Sequence, residues 1–348
     1  MRFALIGFGA IGQFRASSLK RTAGAELKLI VEPVAEKREA AQKLGYQTAA
    51  SMDAALGSKE IDAVIISTPP NLHRAHCEAA LAAGKHVLCE KPLATTVEDA
   101  KAIVAAAKRA GKVLGTGYNY RFYPAIAKAR ELIAQGEIGE VDHVKSFAGH
   151  PGGPEFTHPW VHDPKVMGGG ALMDNGTHVA DLTLHFLGKT TETAGFTGNR
   201  IWNFGGSEDN GYVLMRTAEG RVGMLHASWS EWRGYRFHLD ITGTGGTIRV
   251  WYPPMMTVLW KKPEGAAKSG RRQIFLFPMM QIKERLKSYR WTVEESFIAE
   301  HLDYMERVAG RPGAGATGED GLHAVELAYA AYSGNERPAE PELAGQHR

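Results

Sequence analysis

Cysteine is nearly absent: Cys77 and Cys89 are the only two in 348 residues. Two thiols cannot build a disulfide framework or a cysteine-rich zinc site, and their scarcity fits a reducing compartment. No apolar run reaches the ~18 residues of a membrane span. The opening run, Phe3-Ala4-Leu5-Ile6, is too short for a signal-peptide core, and glycines at 7, 9 and 12 keep it from growing longer. It reads as a first strand, and the protein as cytoplasmic with no membrane partner. A surplus of one charge is lacking too. Lys and Arg number 41 against 38 Asp and Glu, a net of +3, which argues against a nucleic-acid partner, and no nucleic-acid-reading motif is present. What is there, 44% hydrophobic and 23% charged residues, excludes wholesale disorder and fibrous repeats. The length suggests about two domains at roughly 150 residues each.

The first third alternates short, fully apolar runs (3–6, 27–31, 63–66, 87–89) with Ala-, Lys- and Glu-rich stretches of helical spacing (35–44, 72–83, 97–110). That alternation predicts an α/β Rossmann-type domain, a doubly wound parallel sheet over residues 1–120. Beyond it the texture changes. Residues 124–135 read as a helix, 141–147 as a strand, 150–165 as a loop, and 168–187 as a helix opened by three glycines. From 192 to 260 the segments alternate in period 2: Phe237, Leu239 and Ile241 face one way, His238, Asp240 and Thr242 the other, with a glycine turn at 243–246. Residues 121–336 are therefore expected to form an α+β domain around a large, mainly antiparallel open sheet. Two helices, 293–308 and 319–332, close it, and 337–348 form a loose tail.

Gly7-Phe8-Gly9-Ala10-Ile11-Gly12 is a G-x-G-x-x-G between a strand and a helix, and Glu32 ends the second strand 20 residues after Gly12. Gly7 allows the tight turn, Gly9 lets backbone N–H groups approach a pyrophosphate, and Gly12 allows close helix–strand packing. Glu32 is placed to accept hydrogen bonds from the adenosine ribose. A carboxylate there repels a 2′-phosphate and favours NAD over NADP, a preference that Lys37 and Arg38 could soften.

Four more stretches join the glycine loop: Ser67-Thr68-Pro69-Pro70-Asn71-Leu72-His73, Cys89-Glu90-Lys91-Pro92, Gly117-Tyr118-Asn119-Tyr120-Arg121-Phe122, and Gly168-Gly169-Gly170-Ala171-Leu172-Met173-Asp174-Asn175-Gly176-Thr177-His178. In this order, with the helix start at Thr317-Gly318-Glu319-Asp320-Gly321, they resemble the glucose–fructose oxidoreductase / inositol dehydrogenase (Gfo/Idh/MocA) family over nearly the whole chain. The resemblance implies an NAD-dependent oxidoreductase acting on a sugar, polyol or sugar derivative, a cis peptide before Pro92, and a homodimer or homotetramer. It places Ser67, Thr68, Pro69, Asn71, His73, Glu90, Lys91 and Asn119 along the cofactor with Gly7, Phe8, Gly9, Ala10, Ile11, Gly12 and Glu32. Tyr118, Asn119, Arg121 and Asn175 look like substrate or nicotinamide contacts. Arg121 has a second reading, an ion pair between the domains.

The chemistry of alcohol oxidation points to Lys91, Asp174 and His178. Asp174 and His178 are i and i+4, which on a helix puts their Cβ atoms about 5–6 Å apart, and Gly176 between them leaves room for a ligand. Lys91 follows a buried strand, at the carboxyl edge where doubly wound sheets bind ligands. A base must take the hydroxyl proton, which suits His178. A cation must hold the oxygen as charge develops, which suits Lys91. Asp174 then orients the lysine or the substrate hydroxyls. Two alternatives remain: a redox-neutral enzyme that keeps NAD bound (glycoside cleavage or epimerisation), and a non-catalytic sugar- or NAD-sensing regulator, which the complete catalytic set disfavours.

Trp160 and His162 are expected to face the sugar from the 150–165 loop. His158 and His162 lie four apart, but Pro159 and Pro164 break the helix a zinc pair would need, so no metal is expected. Asp181 and His185 read as packing or capping groups. Exposed Trp and Met between 202 and 260 would suit a subunit contact. The stretch 261–290 stands apart: nine Lys and Arg against Glu264 and Glu284 give it +7, and leave the rest of the chain at −4. Without clean periodicity it reads as a solvated loop, with a subunit contact or a lid over an anionic substrate as the other readings.

Overall fold

The computed structural model describes residues 1–153, 158–263 and 270–334. Six strands, β1 (Arg2–Ile6), β2 (Glu26–Val31), β3 (Thr48–Ala49), β4 (Ala63–Ile66), β5 (His86–Glu90) and β6 (Leu114–Gly117), alternate with α1 (Ala10–Arg21), α2 (Ala35–Lys43), α3 (Asp53–Leu56), α4 (His73–Ala82) and α5 (Val97–Ala110). The strands pair in parallel in the order β3-β2-β1-β4-β5-β6. That order reverses beside β1, the place where such sheets open a ligand crevice at their carboxyl ends. β1 shows why its run is unbroken: Phe3 and Leu5 enter one buried cluster, Ala4 and Ile6 the other. Both faces of the strand are covered by helices.

The second sheet follows α6 (Pro124–Ala134) and contains β7 (Val141–Gly149), then, after α7 (Pro164–Met167) and α8 (Thr177–Leu187), β8 (Thr190–Gly198), β9 (Asn210–Thr217), β10 (Val222–Ser228), β11 (Arg236–Gly243), β12 (Gly246–Tyr252), β13 (Met256–Lys261) and β14 (Arg272–Leu276). The order is β14-β13-β12-β11-β7-β10-β9-β8; β7 and β10 run parallel and the other neighbours antiparallel. Phe237, Leu239 and Ile241 are buried, and Gly243 pairs with Gly246 across the expected turn. α9 (Pro278–Lys287), α10 (Arg290–Val308) and α11 (Gly318–Gly334) complete the described chain. α10 lies along α1, and α11 lies against both α5 and α8.

Two expectations are corrected. The stretch 261–290 is no plain loop: β13 ends at Lys261, β14 extends the sheet beyond it, and α9 packs on α10. Its residues 264–269 lie outside the described residues, as does the tail 337–348. The helix expected over 168–187 is also not continuous. Gly168 adopts φ +88°, Leu172–Gly176 form a π-helical turn, and only then does α8 begin. Such wide turns are frequent at functional sites.

Candidate active site

The turn after β5 carries Lys91, and the Lys91–Pro92 bond is cis. The Lys91 ammonium donates to the Asp174 carbonyl oxygen at 2.7 Å and to Asp174 Oδ1 at 3.1 Å. The opposite carboxylate oxygen, Oδ2, accepts from His150 Nε2 at 3.0 Å and from the Trp229 indole N–H at 3.1 Å. The Gly152 N–H donates to His150 Nδ1 at 3.1 Å, which makes His150 the Nε2–H tautomer and hence a donor toward Asp174. Register explains the meeting. Gly149 of β7 pairs with Ser228 of β10, so the next residues, His150 and Trp229, leave the sheet side by side.

Asp174 is mounted from behind. Glu208 accepts from the backbone N–H groups of Gly170 at 2.6 Å and Leu172 at 2.7 Å, capping the turn that carries it. A Cβ on Gly170 would sit 2.1 Å from the Glu208 carbonyl oxygen, which is why the glycine run is needed. Gly176 corrects an expectation: its space is filled by Ala227 of β10, 2.8 Å from where a Cβ would be, and not left for a ligand.

Burial pushes the Asp174 carboxyl up, but the Lys91 ammonium and then His150 outweigh it and hold the group well below the usual carboxylate range. Burial, reinforced by Lys91 and only partly offset by Asp174, pushes His178 well below the ordinary histidine value, so its imidazole is neutral at neutral pH. Its Nδ1 is buried without a hydrogen-bond partner, which leaves Nε2 as the accessible nitrogen. A cation, a carboxylate that orients it, and a neutral imidazole form a set able to hold an oxygen and exchange its proton.

The glycine loop fits a dinucleotide. Gly7 has φ +96°, and a Cβ there would lie 2.7 Å from the Ser67 carbonyl oxygen; one on Gly12 would lie 2.3 Å from the Gly7 carbonyl oxygen. At Gly9 nothing stands within 4 Å, and no side chain caps α1, so its first amides remain for an anion. The Phe8 ring is buried and the Phe8 N–H is taken by Glu32, while Ala10 and Ile11 are exposed. Glu32 accepts from the N–H groups of Phe8 at 2.7 Å and Val34 at 3.0 Å, which fixes the carboxylate beside the loop with lone pairs to spare. Arg38 is tied to the carbonyls of Glu32 and Pro33.

Several other expected site residues are engaged inside the protein. Arg121 is buried in a bidentate pair with Asp181, at 2.8 and 2.6 Å, with Asp320 at 3.3 Å. Its donors are spent inside the protein, not turned to a substrate. Asn119 donates to Ser296 of α10 at 2.7 Å, and His73 lies between the carbonyls of Thr68 and Pro92, both at 2.9 Å. Asn175 is buried with its amide toward Ser228, and Tyr118 is fully buried with its ring edge-on to His178. Ser67, Thr68 and Pro69 are half-buried beside the glycine loop, and Asn71 is exposed. Glu90 is buried in an ion pair with Arg15 of α1, which also holds Glu300 of α10. Trp160 is half-exposed on a short turn; His162 beside it stacks on Phe204 at 3.9 Å and meets the Gly152 carbonyl at 2.9 Å. Of the tryptophans expected on the surface, Trp229 is fully buried.

Trp229, Glu208 and Arg15 escaped the sequence reading, and His150 entered it only as part of the 150–165 loop. A histidine and a tryptophan closing two apolar strands were the available signal, but only the parallel pairing of β7 with β10 brings them together.

A dinucleotide loop on a sheet of this order, with a lysine at its carboxyl edge bonded to an aspartate of the following α+β portion, defines a nicotinamide-dependent oxidoreductase. The chain belongs to the Gfo/Idh/MocA family: residues 1–118 match the oxidoreductase family NAD-binding Rossmann fold, and residues 126–249 the GFO/IDH/MocA C-terminal domain. It is 28% identical over 338 residues to the myo-inositol 2-dehydrogenase of Thermotoga maritima, covering 95% of each chain. It is 30% identical over 337 residues to the 1,5-anhydro-D-fructose reductase of Ensifer adhaerens, covering 94% of each. Among solved structures, a levoglucosan dehydrogenase in complex with NADH superposes with a TM-score of 0.83 at 26% identity, over 96% of each chain. Among the described residues, no helix is long and apolar enough to cross a membrane.

Proposed function

We propose that this oxidoreductase moves a hydride between nicotinamide C4 and a secondary hydroxyl, or the matching ketone, of a sugar, polyol or sugar derivative, with Lys91, Asp174 and His178 as its catalytic set. The observation that carries this reading is the Lys91–Asp174 contact, with a neutral imidazole close enough to feel both charges. NAD, when bound, supplies the hydride acceptor, or the donor in its reduced form. The glycine loop, Glu32 and the half-buried Ser67–Pro69 turn would hold it. His178 takes the hydroxyl proton at Nε2 in oxidation and returns it in reduction. Lys91 holds the oxygen as negative charge grows on it, and Asp174, gripped by His150 and Trp229, keeps the ammonium aimed. The polyhydroxy compounds in the relatives' names support the substrate class.

The test is a panel of polyols, sugars and anhydrosugars with NAD, and of keto-sugars with the reduced cofactor, followed by absorbance of the reduced nicotinamide. No signal from any member in either direction counts against the reading. The engaged Glu32 and the tethered Arg38 support NAD over NADP. Cys77 and Cys89, buried and unbridged, support a cytoplasmic setting. A homo-oligomer built on the uncovered face of the second sheet is supported by a cross-strand row, Phe196–Tyr212–His226–Phe147–His238–Trp251, together with exposed Leu214 and Met224. Its test is the solution mass of a Leu214→Glu variant, which should fall to that of a smaller assembly.

A further inference from the structure

A histidine that shuttles a proton is usually held by a hydrogen bond at its other ring nitrogen, which fixes both tautomer and plane. His178 has no such bond: its Nδ1 is buried and meets no partner among the described residues. Rings hold it instead. Tyr120 lies flat against the imidazole, with centroids 3.9 Å apart and planes within 5°, and Tyr118 meets it at 72° and 5.8 Å. Tyr120 is itself fixed. It stacks with Tyr123 at 4.7 Å and with Phe237 at 5.2 Å, and its hydroxyl bonds to that of Tyr235.

Resting on the reading of His178 as the proton-transfer group, the geometry points to Tyr120 as a positioning residue that fixes the plane of His178 by ring stacking in place of a hydrogen bond, with Tyr235 as its latch. The stack has a second effect, which is to bury one face of the imidazole and so disfavour its charged form. The charged groups acting on His178 are Lys91 and Asp174; His150 reaches it through Asp174, and Asp181, further along α8, is occupied by Arg121. With those groups unchanged, burial by the rings is what a Tyr120 substitution alters.

The experiment compares wild type with Tyr120→Phe, Tyr120→Leu and Tyr120→Met. The His178 resonance is followed by NMR titration of histidine-labelled protein, assigned among the 14 histidines by its loss in His178→Gln, beside pH profiles of kcat and KM. The leucine variant uncovers that face and eases the burial of the ring, so the His178 titration moves up toward the ordinary value of about 6.5. Its kcat falls by about tenfold or more as the ring loses its plane, and KM for NAD stays put. The phenylalanine variant keeps the stacked ring but loses the hydroxyl that Tyr235 latches, so it recovers most but not all of both properties. Methionine, unbranched and of similar reach, replaces leucine if that variant does not fold. A His178 titration that stays at the wild-type position in the leucine and methionine variants overturns the proposal, as does a phenylalanine variant as impaired as the leucine one. The NMR arm needs no turnover. A protein silent on every substrate would therefore sink the catalytic reading while the titration still decides the role of Tyr120.

Discussion

Replacing Lys91 by alanine removes the cation at the centre of the site, and its consequences separate by magnitude. For the chemistry, the role proposed for Lys91, one preorganised charged donor to the oxygen on which charge develops, predicts a fall of about 10²–10³ in kcat. For stability, Asp174 loses the contacts at 2.7 and 3.1 Å but keeps His150 and Trp229 on Oδ2. The side chains of the pair are 20% and 17% exposed, so water partly replaces the ammonium. The loss should be about 1–3 kcal/mol, roughly 2–4 °C of Tm per kcal/mol. For His178 the sign is upward, because Lys91 is one of the causes holding its pKa down. NAD binding should persist, since neither Lys91 contact goes to the glycine loop. Steady-state absorbance of the reduced nicotinamide, a thermal melt, and NAD titration by quenching of tryptophan fluorescence read these outcomes apart. Full turnover in Lys91→Ala would refute the mechanism. Loss of NAD binding with loss of turnover would show that Lys91 serves the cofactor and not the reacting oxygen.

The same geometry sets other outcomes. Arg121→Met strands Asp181 in the core and should cost about 3–5 kcal/mol by chemical denaturation, with no selective rise in substrate KM; such a rise would return Arg121 to the substrate site. Glu32→Gln puts an amide where Phe8 and Val34 donate to a carboxylate, so the kcat/KM preference for NAD over NADP should narrow, which parallel assays with the two cofactors measure. Thermal stability should peak slightly on the acid side of neutrality. His73, His178 and His301 are buried and depressed, so their contribution is complete above about pH 6.5 and is lost as pH falls. Glu208 and Glu300, pushed up to about 7 by burial, contribute fully below their unfolded value and lose that contribution as pH rises through 7. Melts across this range that rise steadily with pH would contradict the assignment.

The parallel sheet was legible because its strands are buried on both faces, so their residues form unbroken apolar runs, and because the glycine loop marks the first strand–helix turn. The antiparallel sheet was legible through alternation, as in β11. The π-helical turn was not, since an i,i+4 pair such as Asp174 and His178 looks the same in either helix. Arg121 misled because a sequence shows a charge but not its partner, and Asp181 lies 60 residues away. β14 and α9 were hidden by the density of Lys and Arg, which broke the apolar periods that announce such elements.

The contact between α1 and α10 carries a consequence for synthesis. Arg15, made among the first residues, is fully buried and takes one of its two carboxylates from Glu300, 285 residues later, and Tyr304 of α10 seats in the same core as Phe3 and Leu5. As the chain leaves the ribosome, the nucleotide-binding portion is complete in sequence long before it can be complete in structure. Until α10 emerges, a guanidinium and an apolar flank lie open beside the glycine loop. Truncations near residue 120 should therefore be recovered as aggregates and not as a small, stable dinucleotide-binding module.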